Sequence, residues 1–371
     1  MFNYLLLYFV LYFFLLGTVV IFGLYRNRRK EATYSDSKHA IDLQNLILLI
    51  PFRNEEHRLI TVIDSLNKSI VLPKEVIFIN DHSADNSVAL IEKEIKIDNY
   101  RIIHTPENIC GKKAAIRYGI DRSVSEFILT TDADIAFHST YFESIAKLQQ
   151  ADLYLMPVTM KAKKLFGELY EIDLILVNAV NVGLAGLKRP IMASGANLLF
   201  SRAKFNEFDS FEKHKHVASG DDMYLLRDFR DNKANVRLIS NPEFGVETET
   251  PQSFKEFIDQ RLRWLGKTAD LKDHLSTGLS IFQALLTGSF MGLMVYYFFI
   301  DEFAFGFILL IWKTCLDMLL FAPYFNRIQR MKTWLFIPVY EILFPVYTLV
   351  ILILIPLYKP KWKSRAIYFK K

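Results

Sequence analysis

The sequence predicts an α/β protein with a mostly parallel sheet, set between segments that can cross a membrane. Three observations carry this. Charge-free blocks stand near both ends of the chain, short β-rich runs alternate with longer helical ones between them, and polar residues collect where those β-rich runs end.

Of the 371 residues 51% are hydrophobic and the formal net charge is +5. A mean hydropathy of +0.17 is high for a wholly soluble chain. Met1 to Tyr25 and Leu275 to Ile300 carry no charged residue, and each is long enough to cross a hydrocarbon core of about 30 Å as a helix. A third block, Phe303 to Phe325, is apolar but for Lys313 and Asp317, which are spaced to pair on one helix face. A fourth, Thr333 to Tyr358, carries Glu341, Pro338, Pro345 and Pro356. Those residues mark it as kinked, re-entrant or interfacial, and as the block expected not to cross.

The first block lacks a basic start and its apolar core is too long for a signal peptide, so an uncleaved anchor is expected. "RNRRK", Arg26 to Lys30, then puts the middle of the chain in the cytosol by the positive-inside rule. The expected order is an anchor over 1–25, a basic linker over 26–45, a cytosolic domain over 46–272, a membrane region over 275–358 and a basic tail over 359–371. This describes a multi-pass protein of the cell (inner) membrane. Cys110 and Cys315 lie far apart, so neither a disulfide framework nor a zinc cluster is expected. The basic flanks suit anionic headgroups. A nucleic-acid surface, which needs basic and aromatic residues interleaved in the soluble part, is excluded.

Within the middle region the strand candidates are "LILLIP" (Leu46 to Pro51), "EVIFIN" (Glu75 to Asn80), "RIIH" (Arg101 to His104) and "EFILTT" (Glu126 to Thr131). Helical spacing follows the first three, over Glu55 to Ser69, Ala84 to Lys96 and Lys112 to Ser123. Such alternation predicts a parallel sheet covered on both faces, with ligands beyond the carboxyl ends of the strands. Leu165 to Leu187 reads either as an amphipathic element along the membrane surface or as a helix covering the sheet.

The residues at those strand ends define the chemistry. Asp132 and Asp134 in "LTTDADIAF" suit a hard divalent cation on a diphosphate, or else a helix cap. Asp81 in "INDHSAD" points into the crevice or caps the next helix, and the lysines of "GKKAA" sit where a helix dipole disfavours them unless they meet phosphate. In "SGDDMYLL" one of Asp221 and Asp222 can cap the helix while the other acts as a general base. "QRLRWLGK", Gln260 to Lys267, fits interfacial anchoring as well as ligand binding.

In this order the pieces resemble the family 2 glycosyltransferases of GT-A fold, above all the membrane-embedded group of cellulose synthase, hyaluronan synthase and ceramide glucosyltransferase. The resemblance runs from about Leu46 to Lys267. It implies that Pro51, Arg53, Asn54 and Glu55 of "IPFRNEE" meet the donor nucleotide and that Asp81 contacts its base. Lys113, with Lys112 as the alternative, matches the basic residue of the GK motif. Asp132 and Asp134 match the DxD that holds the sugar diphosphate and Mg²⁺ or Mn²⁺, with Asp134 expected on the metal itself. Asp222 matches the catalytic base. Gln260, Arg263 and Trp264 match QxxRW, with Arg261 at a commonly basic second position. Gly195, Ala196 and Asn197 of "SGANLLF", together with Asp221 and Trp264, are expected around the donor sugar and the acceptor, and "KWKSR" is similar to the family's tail.

Two departures are Asp221 where glutamate is usual, which makes it a competitor for the role of base, and Ser364 where glycine is usual. The resemblance implies a metal-dependent, inverting hexosyltransferase that uses a nucleoside diphosphate sugar, UDP-hexose on the family average. Its acceptor is expected to be a membrane lipid or lipid-linked glycan. The rivals are a processive polysaccharide synthase and a non-catalytic, membrane-anchored nucleotide-binding scaffold.

Overall fold

The computed structural model describes residues 2–32, 40–162, 165–208, 221–271, 273–355, 361–362 and 365–366. The predicted motif residues Ser219, Gly220 and Ser364 lie outside the described residues, as does the side chain of Asp221.

The chain opens as one helical run: α1 (Phe2–Gly17), a π turn (Thr18–Phe22) and α2 (Gly23–Ala32). The alternating part follows as β1 (Leu46–Phe52), α3 (Leu59–Asn67), β2 (Glu75–Asn80), α4 (Ser87–Glu94), β3 (Tyr100–His104), α5 (Lys112–Asp121) and β4 (Phe127–Thr131). Next come β5 (Ala136–Phe137), α6 (Tyr141–Ala146), β6 (Leu153–Leu155), β7 (Val158–Lys161) and the long α7 (Leu165–Gly186). The chain returns through β8 (Asn197–Ser201), α8 (Arg202–Phe208), α9 (Asp221–Asp231), β9 (Val236–Leu238) and β10 (Val246–Glu249). It ends in α10 (Phe254–Leu271), α11 (His274–Phe299), α12 (Phe303–Arg327), α13 (Met331–Trp334), α14 (Ile337–Leu354) and the paired β11 (Lys361–Trp362) and β12 (Arg365–Ala366).

Two compact units result, and they are interleaved rather than consecutive. The sheet unit comprises Asn27–Lys161 and Met192–Glu249, and the helical unit comprises Met1–Arg26, Ala162–Ile191 and Thr250–Lys371. Within 46–272, α7 and α10 group with the helical unit rather than with the sheet.

In the sheet unit the main sheet has the order β3-β2-β1-β4-β8-β6-β9 among the described residues. The predicted strands form it with parallel neighbours β1–β2, β1–β4 and β2–β3, while β8 runs antiparallel to β4 and β6. β1 is central and buried at every position, as a continuous apolar run requires of a strand covered on both faces. On one face α3 packs Leu59, Val62, Ile63 and Leu66 into a core with Leu48, Ile50, Phe78 and Leu129. On the other, α5 approaches so closely at Gly119 that a Cβ there would meet Ile79 at 2.5 Å.

α3 and α4 start later than their spacing predicts, at Leu59 and Ser87. The residues that would have begun them bond across the loops instead: the amide of Glu55 donates to Ser87 Oγ and that of Ala84 to Asn54 Oδ1. A second sheet, β5-β10-β7, pairs Val246 with Phe137 and Val158.

Five helices among the described residues are long and apolar enough to cross a membrane: Val10–Glu31, Phe166–Gly186, His274–Phe299, Phe303–Arg327 and Ile337–Leu354. The fourth predicted block thus holds an 18-residue helix, in which Pro338 takes the first turn and Pro345 sits inside without ending it. α7 packs against the π turn, α12, α13 and α14. The crossing with the N-terminal helix is closed by glycine: a Cβ on Gly23 would collide with Gly183 O, and one on Gly186 with Gly23 O. The predicted pair forms on α12, where Lys313 Nζ donates to Asp317 Oδ2 at 2.8 Å. Glu341 of α14 also accepts from Lys313, and Tyr12 of α1 donates to Asp317.

Candidate active site

The carboxyl ends of β1 and β2 are stitched together. Pro51 is buried, and past it Arg53 Nη1 donates to Asp81 O at 3.3 Å. Asn54 adopts a φ of 50°, donates from its amide to Ser83 Oγ at 3.1 Å and accepts from Ala84 N at 2.8 Å. The amide of Glu56 donates to Asp85 Oδ2 at 3.0 Å. Burial pushes the Asp85 carboxyl up, but hydrogen bonds from Ser87 and Glu56 outweigh it and hold the group below the usual aspartate range. Asn54 therefore spends its side chain on loop geometry.

Asp81 is 2% exposed, and both of its carboxylate oxygens accept from the amide of Gly111, at 3.1 and 3.0 Å. Gly111 has φ 98° and ψ 153°, a region nearly reserved for glycine. It opens α5, and the two lysines after it diverge. Lys112 Nζ pairs with Asp132 Oδ1, whereas buried Lys113 lies over the ring of Tyr224 on α9, 5.4 Å from its centroid. Of the two lysines it is thus Lys112 that meets the DxD, while Lys113 meets the helix that carries Asp222.

Asp132 and Asp134 follow β4 with buried Ala133 between them. Arg58 Nη1 stands 3.5 Å from Asp134 Oδ2. Burial, then the charges of Asp132 and Glu55, raise the Asp134 pKa to about 6 against the opposing pull of Arg58 and Lys112. Carboxylates gathered until one resists ionisation are a donor set suited to a hard divalent cation, which relieves their repulsion. The residues present therefore fit Mg²⁺ or Mn²⁺.

On α9, Asp222 Oδ2 accepts from the amide of Gly195 at 3.2 Å and Oδ1 from that of Met223 at 2.8 Å. The "SGAN" stretch is thereby tied to the candidate base. Asn197 departs from expectation. It is 1% exposed, accepts from Tyr141 Oη at 2.6 Å and donates to Pro157 O and Phe244 O, both at 2.8 Å. Both amide hydrogens are committed, so Asn197 is a latch that ties β8 to the turns at Pro157 and Phe244. Gly195 and Ala196 before it are buried as well, Ala196 within the hydrophobic core.

Gln260, Arg263 and Trp264 lie on α10, in the helical unit. Gln260 Oε1 accepts from Arg261 at 3.2 Å, and burial lowers the pKa of Arg263 against the opposing charge of Asp259. The starts of α7 and α10 wall a cleft of about 490 Å³ lined by Phe166, Tyr170, Phe254 and the Thr250–Ser253 segment.

Three features escaped sequence reasoning. Arg58 carried no motif, and its pairing with Asp134 has only its place after the β1 loop as a signal. Asp173, read as part of an amphipathic face, is a buried partner of Arg261. Asp81, His82 and Cys110 each bring a ligand atom within 4.8 Å of one another, so a three-donor group exists where cysteine spacing implied none. The Asp81 oxygens in that group are held by Gly111.

Comparison with known proteins adds the following. Residues 47–207 match the model of the Glycosyl transferase family 2. The chain is similar to a probable glycosyltransferase of Sulfolobus acidocaldarius, 24% identical over 284 residues that cover 71% of this chain and 57% of that protein. It is also similar to the poly-beta-1,6-N-acetyl-D-glucosamine synthase of Staphylococcus aureus, 29% identical over 142 residues, 36% of this chain and 32% of that protein. The match thus spans between a third and about three fifths of these relatives. Among solved structures, the mannosyltransferase PcManGT from Pyrobaculum calidifontis, in complex with GDP-Man and Mn²⁺, aligns over 88% of this chain and 99% of its own at 13% identity and a TM-score of 0.49.

Proposed function

We propose, from the match of residues 47–207 to the family 2 glycosyltransferase model, that the chain transfers a hexose, with inversion, from UDP-hexose to a lipid or lipid-linked glycan at the membrane. The observation that carries this is the start of α5. Adjacent lysines there meet the DxD through Lys112 and the helix of Asp222 through Lys113, so positive charge sits between the candidate leaving-group site and the candidate base.

In this reading Arg53 and the Asp81–Gly111 lock shape the nucleotide end of the donor site. Asp134 and Asp132 hold the divalent cation, which when bound neutralises the diphosphate. Lys112, Lys113 and Arg58 add positive charge where the departing UDP becomes more anionic. Asp222, oriented by the Gly195 amide, accepts the proton of the acceptor hydroxyl as its oxygen attacks the anomeric carbon from the opposite face. Gln260 and Trp264 contact the sugar and the acceptor. The apolar belt of the long helices and the aromatic cleft at the starts of α7 and α10 support a membrane-borne acceptor.

A second reading, a processive polysaccharide synthase, is favoured by the 29% identity to a polysaccharide synthase. The deciding experiment incubates membranes holding the full chain with Mn²⁺, a panel of UDP-sugars and native lipid, and follows UDP release and product mass. A lipid heavier by one hexose supports single transfer, a long polymer supports the synthase, and no UDP release with any sugar leaves a nucleotide-binding scaffold.

A further inference from the structure

Arg261 sits inside the QxxRW stretch, yet it is 6% exposed and turned into the helical unit. Its Nε lies 2.5 Å from Asp173 Oδ2 of α7. Its guanidinium stacks 4.6 Å from the ring centroid of Phe257 and 4.3 Å from that of Trp264, residues that share its helix face at i−4 and i+3. The remaining nitrogens reach Gln260 Oε1 at 3.2 Å and Tyr170 O at 3.4 Å. Asp173, also 6% exposed, accepts at its other oxygen from two hydroxyls of α14, Tyr340 at 2.7 Å and Tyr347. These hydroxyls lie 3.1 Å apart.

Three helices thus converge on one carboxylate whose cationic partner among the described residues, Arg261, touches two of the motif's ligand-type side chains. A buried ion pair stabilises a fold weakly, and apolar residues of like volume do as well or better. What it supplies is orientation. A flat guanidinium held by a carboxylate on one edge gives the Trp264 ring a fixed platform.

We infer that Asp173, braced by Tyr340 and Tyr347, is a positioning residue for the transfer: it fixes Arg261, and Arg261 sets the Trp264 ring and the Gln260 amide for the acceptor. The acceptor half rests on the reading of Trp264 given above. The positional half does not.

The test uses the full chain in detergent with Trp312, Trp334 and Trp362 changed to Phe, so that Trp264 alone fluoresces. Asp173→Asn is expected to make Trp264 more accessible to acrylamide. It should also raise the amount of total membrane lipid needed for half-maximal UDP release from UDP-glucose about tenfold while leaving the donor KM unchanged, as misorientation of a binding group does. Tyr347→Phe, which removes one hydroxyl and keeps the ion pair, is expected to shift both readouts in the same direction by less. Arg261→Lys keeps the charge and loses the flat stack, and should raise quenching as Asp173→Asn does. Unchanged quenching in the folded Asp173→Asn and Arg261→Lys variants overturns the inference. Raised quenching with an unchanged lipid requirement, where Trp264→Ala does alter that requirement, overturns the link to the acceptor. If Trp264→Ala itself leaves the lipid requirement unchanged, the acceptor reading of Trp264 falls with its half of the inference, and quenching alone decides the positional half.

Discussion

At the scale of single residues, Asp134 stores a conflict between folding and function. Its carboxyl titrates near pH 6 in the folded protein, above the aspartate reference of 3.8, mainly because it is buried. A raised carboxylate pKa favours the folded state while the group is protonated. That contribution fades as pH climbs from the reference value through about 6. Asp134→Asn is therefore expected to raise the melting temperature of the metal-free protein at pH 7.5 and to change it little near pH 4. The cation competes with the proton for the same oxygens, so Mn²⁺ affinity followed by electron paramagnetic resonance should drop about tenfold between pH 7 and pH 5. Asp222→Asn should lower turnover by about 10² to 10⁴ and leave nucleotide affinity nearly intact; full activity in that variant assigns the base elsewhere. The aspartates themselves were legible because those of "FILTTDAD" and "FINDHS" follow an apolar run and those of "GDDMYLL" open one. Their counterions were not. The choice of Lys112 over Lys113 depends on which way a helix start faces, and the Asn197 latch depends on partners that no spacing in the sequence announces.

Among the elements, the strands of the alternating half were readable almost to the residue, since a run buried on both faces leaves little freedom of assignment. α7 was not. Its apolar length competes with Glu168, Glu171 and Asp173, and what resolves the competition lies far along the chain: Thr333, Arg330, Arg261, Tyr340 and Tyr347. Length and hydropathy alone make α7 a candidate span, but topology opposes a lone crossing. β6 and β8, which precede and follow it, are hydrogen-bonded neighbours in one sheet. After α7, the segment up to Asn197 contains no helix and no strand, and such backbone does not cross lipid unsupported. Both ends of α7 are therefore expected on the same side of the membrane. Cysteines introduced separately at Phe166 and Lys188 in sealed vesicles should react with an impermeant maleimide from one side; opposite-side labelling defeats the argument.

For the whole molecule, the polar clusters buried among the helices are costly to break one partner at a time. Lys313 serves two carboxylates, Asp317 and Glu341, that come from different helices. Lys313→Met leaves both without their cation, and a loss of about 3 to 5 kcal/mol is expected, seen as a lower melting temperature in detergent; Glu341→Gln in the same background should recover part of it. The i,i+4 half of this cluster was legible from spacing, while Glu341 was hidden because its contact bridges two helices. The division into units was hidden for the same reason, since composition changes along a chain whereas packing joins distant pieces. A chain shortened to end at Lys272 keeps α7 but loses Arg330, Thr333, Tyr340 and Tyr347, and it should elute as aggregate in size-exclusion chromatography rather than as a soluble enzyme. The interleaving also imposes an order on synthesis. β4 leaves the ribosome well before β8, its antiparallel neighbour, and a long apolar helix is made in between. One edge of the sheet stays open until that helix has emerged. The sheet unit therefore cannot be completed before α7 has been made, whereas its last strand, β10, emerges ahead of α11, α12 and α14, so the helical unit is the last to be finished.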